Sequence, residues 1–317
     1  MKAIRIHGYG GPEVLQLEDI PRPSPRPGEL LVKVHAASVN PVDWTVRQGH
    51  MQQFLPLKLP AVLGWDLSGV IEAVGTAVGK FKVGDEVYAG LPLAPDRNGT
   101  YAEYTITTEA ETAAKPRTLD HVHAATVGVA GLTAWRALFE TAQLAAGQKV
   151  LIHRAAGGVG TFAVQFAHWK GAHVLGTAST QNQEFLRQLG VDEPIDYTKT
   201  RFEDIAANVD VVLDTKGGEV QERSWKVLRK GGILVSLVAP PAADQAARHG
   251  VRSTMHYNAP SAAPLAEIAK LIDSGQCKVF VDTVLPLAEA RRAQEMSATG
   301  HIHGKIVLQV AASTRPS

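Results

Sequence analysis

The sequence predicts an α/β protein made of a compact all-β unit, part barrel, and a doubly wound parallel sheet with helices on both faces. Three observations carry this. Residues 1–120 are rich in proline, glycine and valine and hold short alternating runs. Beyond residue 121, apolar runs alternate with helical patterns. Between one such run and the next helix stands "RAAGGVG" (154–160), with glycine at Gly157, Gly158 and Gly160.

In the β unit, "LLVKVHAASV" (30–39), "LSGVIEAVG" (67–75) and "GDEVYAG" (84–90) are strand-like, and alternation in "GELLVKVHA" marks a half-buried strand. Turn residues such as "PRPSPRPGE" and "KVGD" separate the runs. In the second part "AATVGVAGLTAWRALFETAQL" is helical. "VLIH" (150–153) precedes a helix over 158–170, and "HVLGTAS" (173–179) precedes "NQEFLRQLG". "PIDY" (194–197) precedes the helical "FEDIAANV", and "DVVLDT" (210–215) precedes the helical "GEVQERSWKVLR". "GGILVSLVA" (231–239) leads into a loop. Near-continuous Val/Ile/Leu strands mean that both sheet faces are covered. "PLAEIAKLIDSG" (264–275) is a helix closed by Gly275. The tail is a helix and a final strand with the character of the β unit, then a frayed "AASTRPS".

Composition bounds the function. The 317 residues are 45% hydrophobic and 20% charged, which suits a globular protein of about two domains. Lys+Arg is 32 against Asp+Glu 31, so no basic excess favours nucleic acid or a membrane surface. The single cysteine, Cys277, excludes an internal disulfide framework and a Cys-built zinc site. No stretch of about 18 apolar residues is present, so no spanning helix is expected. The first residues read as a strand rather than a signal peptide, and the expected location is the cytoplasm.

Glycine is costly in regular structure, so three in one turn imply a need for bare backbone. Ala155-x-Gly157-x-x-Gly160 is one substitution from G-x-G-x-x-G. In that reading Gly157 admits a pyrophosphate to the main chain and Gly160 lets the helix approach its strand. The turn residues Ala156, Gly157, Gly158 and Val159 then hold the anion at the helix start. An NAD site places Asp or Glu about 20 residues further on. Here the next strand ends "GTASTQNQ", with no acid before Glu184. Ser179 and Thr180 can hydrogen-bond a 2′-phosphate instead, which favours NADPH over NADH, although that turn holds no Lys or Arg. Tyr197 and Lys199, after the following strand, either complete the pocket or are a strand-end tyrosine and a solvated lysine.

"GQKVLIHRAAGGVGTFAVQFAH" (147–168), "VNPVDWTVRQG" (39–49), "LPAVLGWDLSGVIEAVG" (59–75), "KVGDEVYAG" (82–90), "GTYAEYTITTE" (99–109), "GLTAW" (131–135) and "HGKIVLQV" (303–310) run nearly end to end. Together they resemble the medium-chain dehydrogenase/reductase superfamily, in its zinc-independent quinone reductase and enone reductase branch. The resemblance implies a GroES-like catalytic domain, a partly open β-barrel, over residues 1–121 and 277–317. It implies a Rossmann domain over 122–276 and a nicotinamide in the cleft between the two. It further implies a homodimer through edge strands, with "RSTMHYN" (252–258) where such a strand falls. Arg154 replaces a frequent alanine, and Gln181 a frequent lysine.

Zinc-dependent relatives use cysteine and histidine ligands, but Asn40 stands at the first cysteine position and Trp65-Asp66 at a His-Glu pair. "HVH" (121–123) and "HIH" (301–303) place two imidazoles at strand spacing, without clear third ligands. Without zinc, hydride transfer suits an already electrophilic acceptor, a quinone or an α,β-unsaturated carbonyl. Asn40 is the first catalytic candidate, its amide orienting the nicotinamide or bonding a carbonyl oxygen; as a residue before Pro41 it is equally a turn former. Thr45 is the second, a weak handle where relatives carry tyrosine or lysine. Trp44 and Trp65 form either an apolar substrate wall or ordinary core. Asp43 anchors its loop, with Arg47 as a candidate partner. Thr133 by family position, and Val238 at the sheet's carboxyl edge, complete the cofactor set. The competing readings are a zinc-type alcohol dehydrogenase relative and a non-catalytic NADPH-binding sensor or scaffold.

Overall fold

Six parallel strands form the sheet of the second part in the computed structural model, which describes residues 1–257, 259–300 and 302–311. In chain order they are β1 (Lys149–Ile152), β2 (His173–Ala178), β3 (Glu193–Asp196), β4 (Val209–Asp214), β5 (Leu228–Ser236) and β6 (Arg252–Met255). Their spatial order is β3-β2-β1-β4-β5-β6. Strand order reverses between β1 and β4, and in such sheets ligands bind at the carboxyl ends beside that switch. Leu151, Leu175, Ile195, Val212 and Leu234 of five neighbouring strands share one core with Trp225 and Phe202.

The expected strands and the helix Gly158–Trp169 are present. Three local expectations need correction. "FEDIAANV" contains only a 3-10 turn, Phe202–Asp204, because Asn208 takes a positive φ of 55° and β4 starts at the next residue. The helix after β4 spans only Glu219–Ser224, since β5 already begins at Leu228. The loop after β5 contains a helix, Ala243–His249, stopped by Gly250 in the left-handed region. β6 is the edge strand at 252–255; Asn258 of the "RSTMHYN" segment lies outside the described residues. So do His301 and residues 312–317.

The first part holds a seven-stranded sheet and a three-stranded sheet. The long strand Glu29–Val39 is the hub of the larger one, pairing antiparallel with Asp66–Val74, Tyr104–Thr108 and Lys305–Gln309. Its inward residues Leu30, Val32, Val34, Ala37 and Val39 pack with Ile4, Leu67 and Ile306 in one core. Contacts group residues 1–132 with 259–317 and set 133–258 apart as a second unit. The helix Ala262–Asp273 sides with the first unit: the Tyr88 hydroxyl donates to the Leu265 carbonyl at 2.5 Å, and Asp273 accepts from the Thr118 N–H at 3.0 Å. "HVH" is not a strand. Asp120 caps a short helix, His121–Ala124, by accepting the His123 N–H, so the two imidazoles are not on one strand face. His121 instead stacks on His35, and His123 bonds Asp120.

Candidate functional site

The glycine turn sits at the carboxyl end of β1. Gly157 is the N-cap of a 12-residue helix, and its N–H bonds back to the Arg154 carbonyl at 2.9 Å. The first-turn N–H groups of such a helix have no intrahelical acceptor, so they face the turn as an anion cradle. A Cβ built on Gly160 would lie 2.4 Å from the Arg154 carbonyl oxygen and 2.7 Å from that of Ala155. Only glycine lets the helix start this close to the strand end. At Gly157 the nearest atom would be 3.2 Å away, so that position is open rather than packed. Arg154 carries the left-handed kink, with φ 50°, and its side chain is exposed.

Beneath the turn lies His153, which the sequence reading did not single out. Its ring is 1% exposed, with Nδ1 3.2 Å from Thr177 Oγ1 and Nε2 2.9 Å from Ser224 Oγ. Ser224 donates its own proton to the Val220 carbonyl, so Nε2–H is the donor to Ser224. Burial drives the His153 pKa down to about 4, which keeps the ring neutral. Thr177 also accepts the Arg154 N–H, and Thr215 donates to the His153 carbonyl at 2.7 Å. The turn is thus held from below by strands on both sides.

Ser179 and Thr180 follow β2, and Tyr197 follows β3, at the same edge of the sheet. Tyr197 is 58% exposed and Val238, after β5, is 50% exposed. Asp214 at the tip of β4 is fully buried; it accepts the N–H groups of Lys216 and Gly217 at 2.9 and 2.8 Å and the Gln221 amide at 2.9 Å. Ser236, at the end of β5, donates to the same carboxylate. Ala156, Gly157, Gly158, Val159, Ser179, Thr180, Tyr197 and Val238 are therefore brought to one sheet edge. This arrangement fits a dinucleotide. Thr133 lies on the helix Gly128–Trp135 and is 9% exposed.

Asn40 and Thr45 belong to the first unit, at the start and the interior of the helix Pro41–Arg47. Asn40 is 4% exposed and held by three partners. Its Nδ2 donates to Asp66 Oδ2 at 2.7 Å, its Oδ1 accepts from Lys305 Nζ, and its N–H donates to Asp43 Oδ2 at 2.8 Å. Lys305, 3% exposed, also donates to the Val39 carbonyl at 2.8 Å and stands 3.6 Å from Asp66. Ser38 and the Val129 N–H complete the shell of Asp66. The Thr45 hydroxyl donates to the Pro41 carbonyl at 2.8 Å, so it presents lone pairs outward.

Asp43 anchors its loop as expected, but through Tyr101 rather than Arg47. The phenol donates to Asp43 Oδ2 at 2.5 Å, whereas Arg47 Nε and Nη1 have no partner among the described residues. Burial, only partly offset by the Tyr101 hydrogen bond, raises the Asp43 pKa to about 7. Between roughly pH 4 and pH 7 the folded chain therefore keeps a proton that the unfolded chain has lost. This group's contribution to stability is complete below that window and falls as pH rises through it, by up to about 1.4 kcal/mol per pH unit. Asp43→Asn is expected to lose that slope, so the stability difference between variant and parent should change with pH in chemical denaturation across pH 4–7. Parallel curves for the two proteins would refute it.

Trp65 is 6% exposed and belongs to the core. Cys277 is buried, its thiol pushed up to about 12 by burial, which makes it a poor nucleophile. Among the described residues no group of three or more His, Cys, Asp or Glu could hold a metal ion. At the position of a zinc ligand set, Asn40 supplies an amide and Asp66 is consumed by three hydrogen-bond donors with the Lys305 ammonium 3.6 Å away, so the residues present do not fit zinc. No helix is long and apolar enough to cross a membrane among the described residues.

Comparison with known proteins shows the family. Residues 26–117 match the alcohol dehydrogenase GroES-like domain, and residues 189–308 match a family described as zinc-binding dehydrogenase. The chain is 38% identical to the chloroplastic NADPH-dependent alkenal/one oxidoreductase of Arabidopsis thaliana, covering 97% of this chain and 79% of that one. The quinone oxidoreductase from Coxiella burnetii superposes with a TM-score of 0.91 at 35% identity, covering 98% and 99% of the two chains. The Escherichia coli quinone oxidoreductase complexed with NADPH gives 0.87 at 28% identity, covering 98% and 100%. The chain belongs to the medium-chain dehydrogenase/reductase superfamily, in its quinone oxidoreductase and alkenal/one oxidoreductase branch.

Proposed function

We propose that this chain is an NADPH-dependent, zinc-independent reductase that transfers hydride to quinones or α,β-unsaturated carbonyls. At the coarser level, its branch makes it an NAD(P)H-dependent oxidoreductase. The observation that carries the proposal is the bare turn at Gly157, capping a helix at the switch point of a sheet in which Ser179 replaces the usual ribose-binding acid. The nicotinamide, when bound, supplies the hydride. In an enone the hydride goes to the β-carbon and the electron pair moves onto the carbonyl oxygen. A hydrogen-bond donor at that oxygen and a proton source are what the protein has to arrange.

Asn40 suits the first task. An amide nitrogen carries two hydrogens and only one goes to Asp66, while Lys305 and Asp66 fix its orientation. Its remaining N–H is proposed to bond either the acceptor's carbonyl or the nicotinamide carboxamide. Thr45, its hydroxyl proton turned to Pro41, is proposed to line the acceptor site while water delivers the proton.

The test is loss of NADPH absorbance with a panel of quinones, enones and enals, beside saturated aldehydes, using metal-analysed protein. Turnover of conjugated acceptors alone supports the proposal. Activity on simple alcohols with stoichiometric zinc, or NADPH binding without turnover of any acceptor, would overturn it.

A further inference from the structure

We infer that Asp196, at the tip of β3, is a specificity-determining residue that turns the pocket rim toward a free ribose hydroxyl and holds down the preference for NADPH. This rests on the cofactor placement proposed above. The Thr180 hydroxyl donates to Asp196 Oδ2 at 2.6 Å. On the other oxygen, Oδ1 accepts from the Thr198 hydroxyl at 2.7 Å and the Thr198 N–H at 3.0 Å. The two hydroxyl oxygens lie 3.0 Å apart. Each hydroxyl has one proton. Both protons are spent on the carboxylate, so these two hydroxyls and Asp196 together present outward lone pairs and a negative charge.

A 2′-phosphate is an acceptor-only group with roughly two negative charges. It meets this rim badly. A 2′-hydroxyl can donate to Thr180 or Asp196 and meets it well. Lys199 is a countercharge, with Nζ 3.7 Å from Asp196 Oδ2, so part of its field is cancelled before it reaches a ligand. Ser179 works the other way: it accepts from the Asn182 amide at 3.2 Å and keeps its own proton for a phosphate oxygen. The hydrogen bond from Thr180, followed by that from Thr198, holds the Asp196 carboxyl below its ordinary range, so it is ionised at neutral pH. Two opposed groups at one rim describe a site that takes NADPH without rejecting NADH.

The experiment is direct binding of NADPH and NADH, without acceptor, to the parent chain and to Asp196→Asn. The ratio of the NADH to the NADPH dissociation constant is expected to rise on the order of tenfold when the charge is removed. The gain should shrink as salt is raised, because the rim is exposed. Asp196→Ser, which removes the charge without supplying an amide, is expected to move the ratio the same way and covers a misfolded Asn variant. An unchanged ratio in both variants, or a shift toward NADH, overturns the inference and leaves the cofactor placement standing. Failure of the parent chain to bind either nucleotide overturns both.

Discussion

A Gly157→Asp chain is expected to fold and to lose NADPH affinity by at least about a hundredfold, some 2.7 kcal/mol or more. The backbone tolerates the change. Gly157 has φ −81° and ψ 174°, an extended conformation open to any residue, and the new Cβ would meet only the Arg154 carbonyl oxygen at 3.2 Å. Aspartate is moreover a favoured N-cap, able to accept the free N–H groups of the first turn and add roughly a few tenths of a kcal/mol over glycine. That is the source of the binding loss. The carboxylate occupies the donors that a pyrophosphate needs and adds a like charge beside it. Gly160→Ala gives the contrast, because its Cβ would lie 2.4 Å from main-chain oxygen, so stability rather than affinity should suffer first. Calorimetric binding with thermal melts separates the two. Unchanged NADPH affinity in folded Gly157→Asp would remove the turn from the cofactor site.

The turn was legible because its signal is local. Strand, glycines and helix follow one another without a break, and Gly160 answers to a steric need. The same holds for β1, β2, β4 and β5, whose apolar runs reflect burial; β3 and β6 carry no such run. Misreadings arose where a local pattern had two solutions. "HVH" alternates like a strand, but Asp120 before it is an N-cap, and that capping signal was available in the sequence. The helix at Ala243–His249 also carried a signal, the left-handed Gly250 behind it. "FEDIAANV" has helical residues but too little chain before β4 begins.

The polar centre of the first unit was illegible for a different reason. Asn40 meets Asp66 across 26 positions and Lys305 across 265, so no spacing rule could join them. Asp196 is the intermediate case. It stands beside Tyr197, which the sequence singled out, yet its hold on Thr180 depends on β2 and β3 lying side by side in parallel register, with Ala178 opposite Asp196. Side-chain chemistry named the candidates, and strand pairing decided which of their protons were free.

Lys305→Met is the second large effect: a loss of about 3–5 kcal/mol of stability, with a melting point lower by roughly 10 °C. The ammonium is buried and donates to Asn40 and to the Val39 carbonyl, 3.6 Å from a carboxylate that is itself fully buried. Burial pulls the Lys305 pKa down, and Asp66 followed by Asp43 oppose that shift. Methionine matches the stem in length but leaves Asp66 as an uncompensated interior charge and strips Asn40 Oδ1 of its donor. The Asn40 amide is then free to turn over, and turnover of any enone should fall with stability. Adding Asp66→Asn to Lys305→Met removes the stranded charge, so the double variant should recover at least about 1 kcal/mol relative to the sum of the single losses. Strict additivity in denaturant titrations would show that the two groups do not depend on each other. A Lys305→Met protein as stable and as active as its parent would mean that the orientation of Asn40 is set by Asp66 alone.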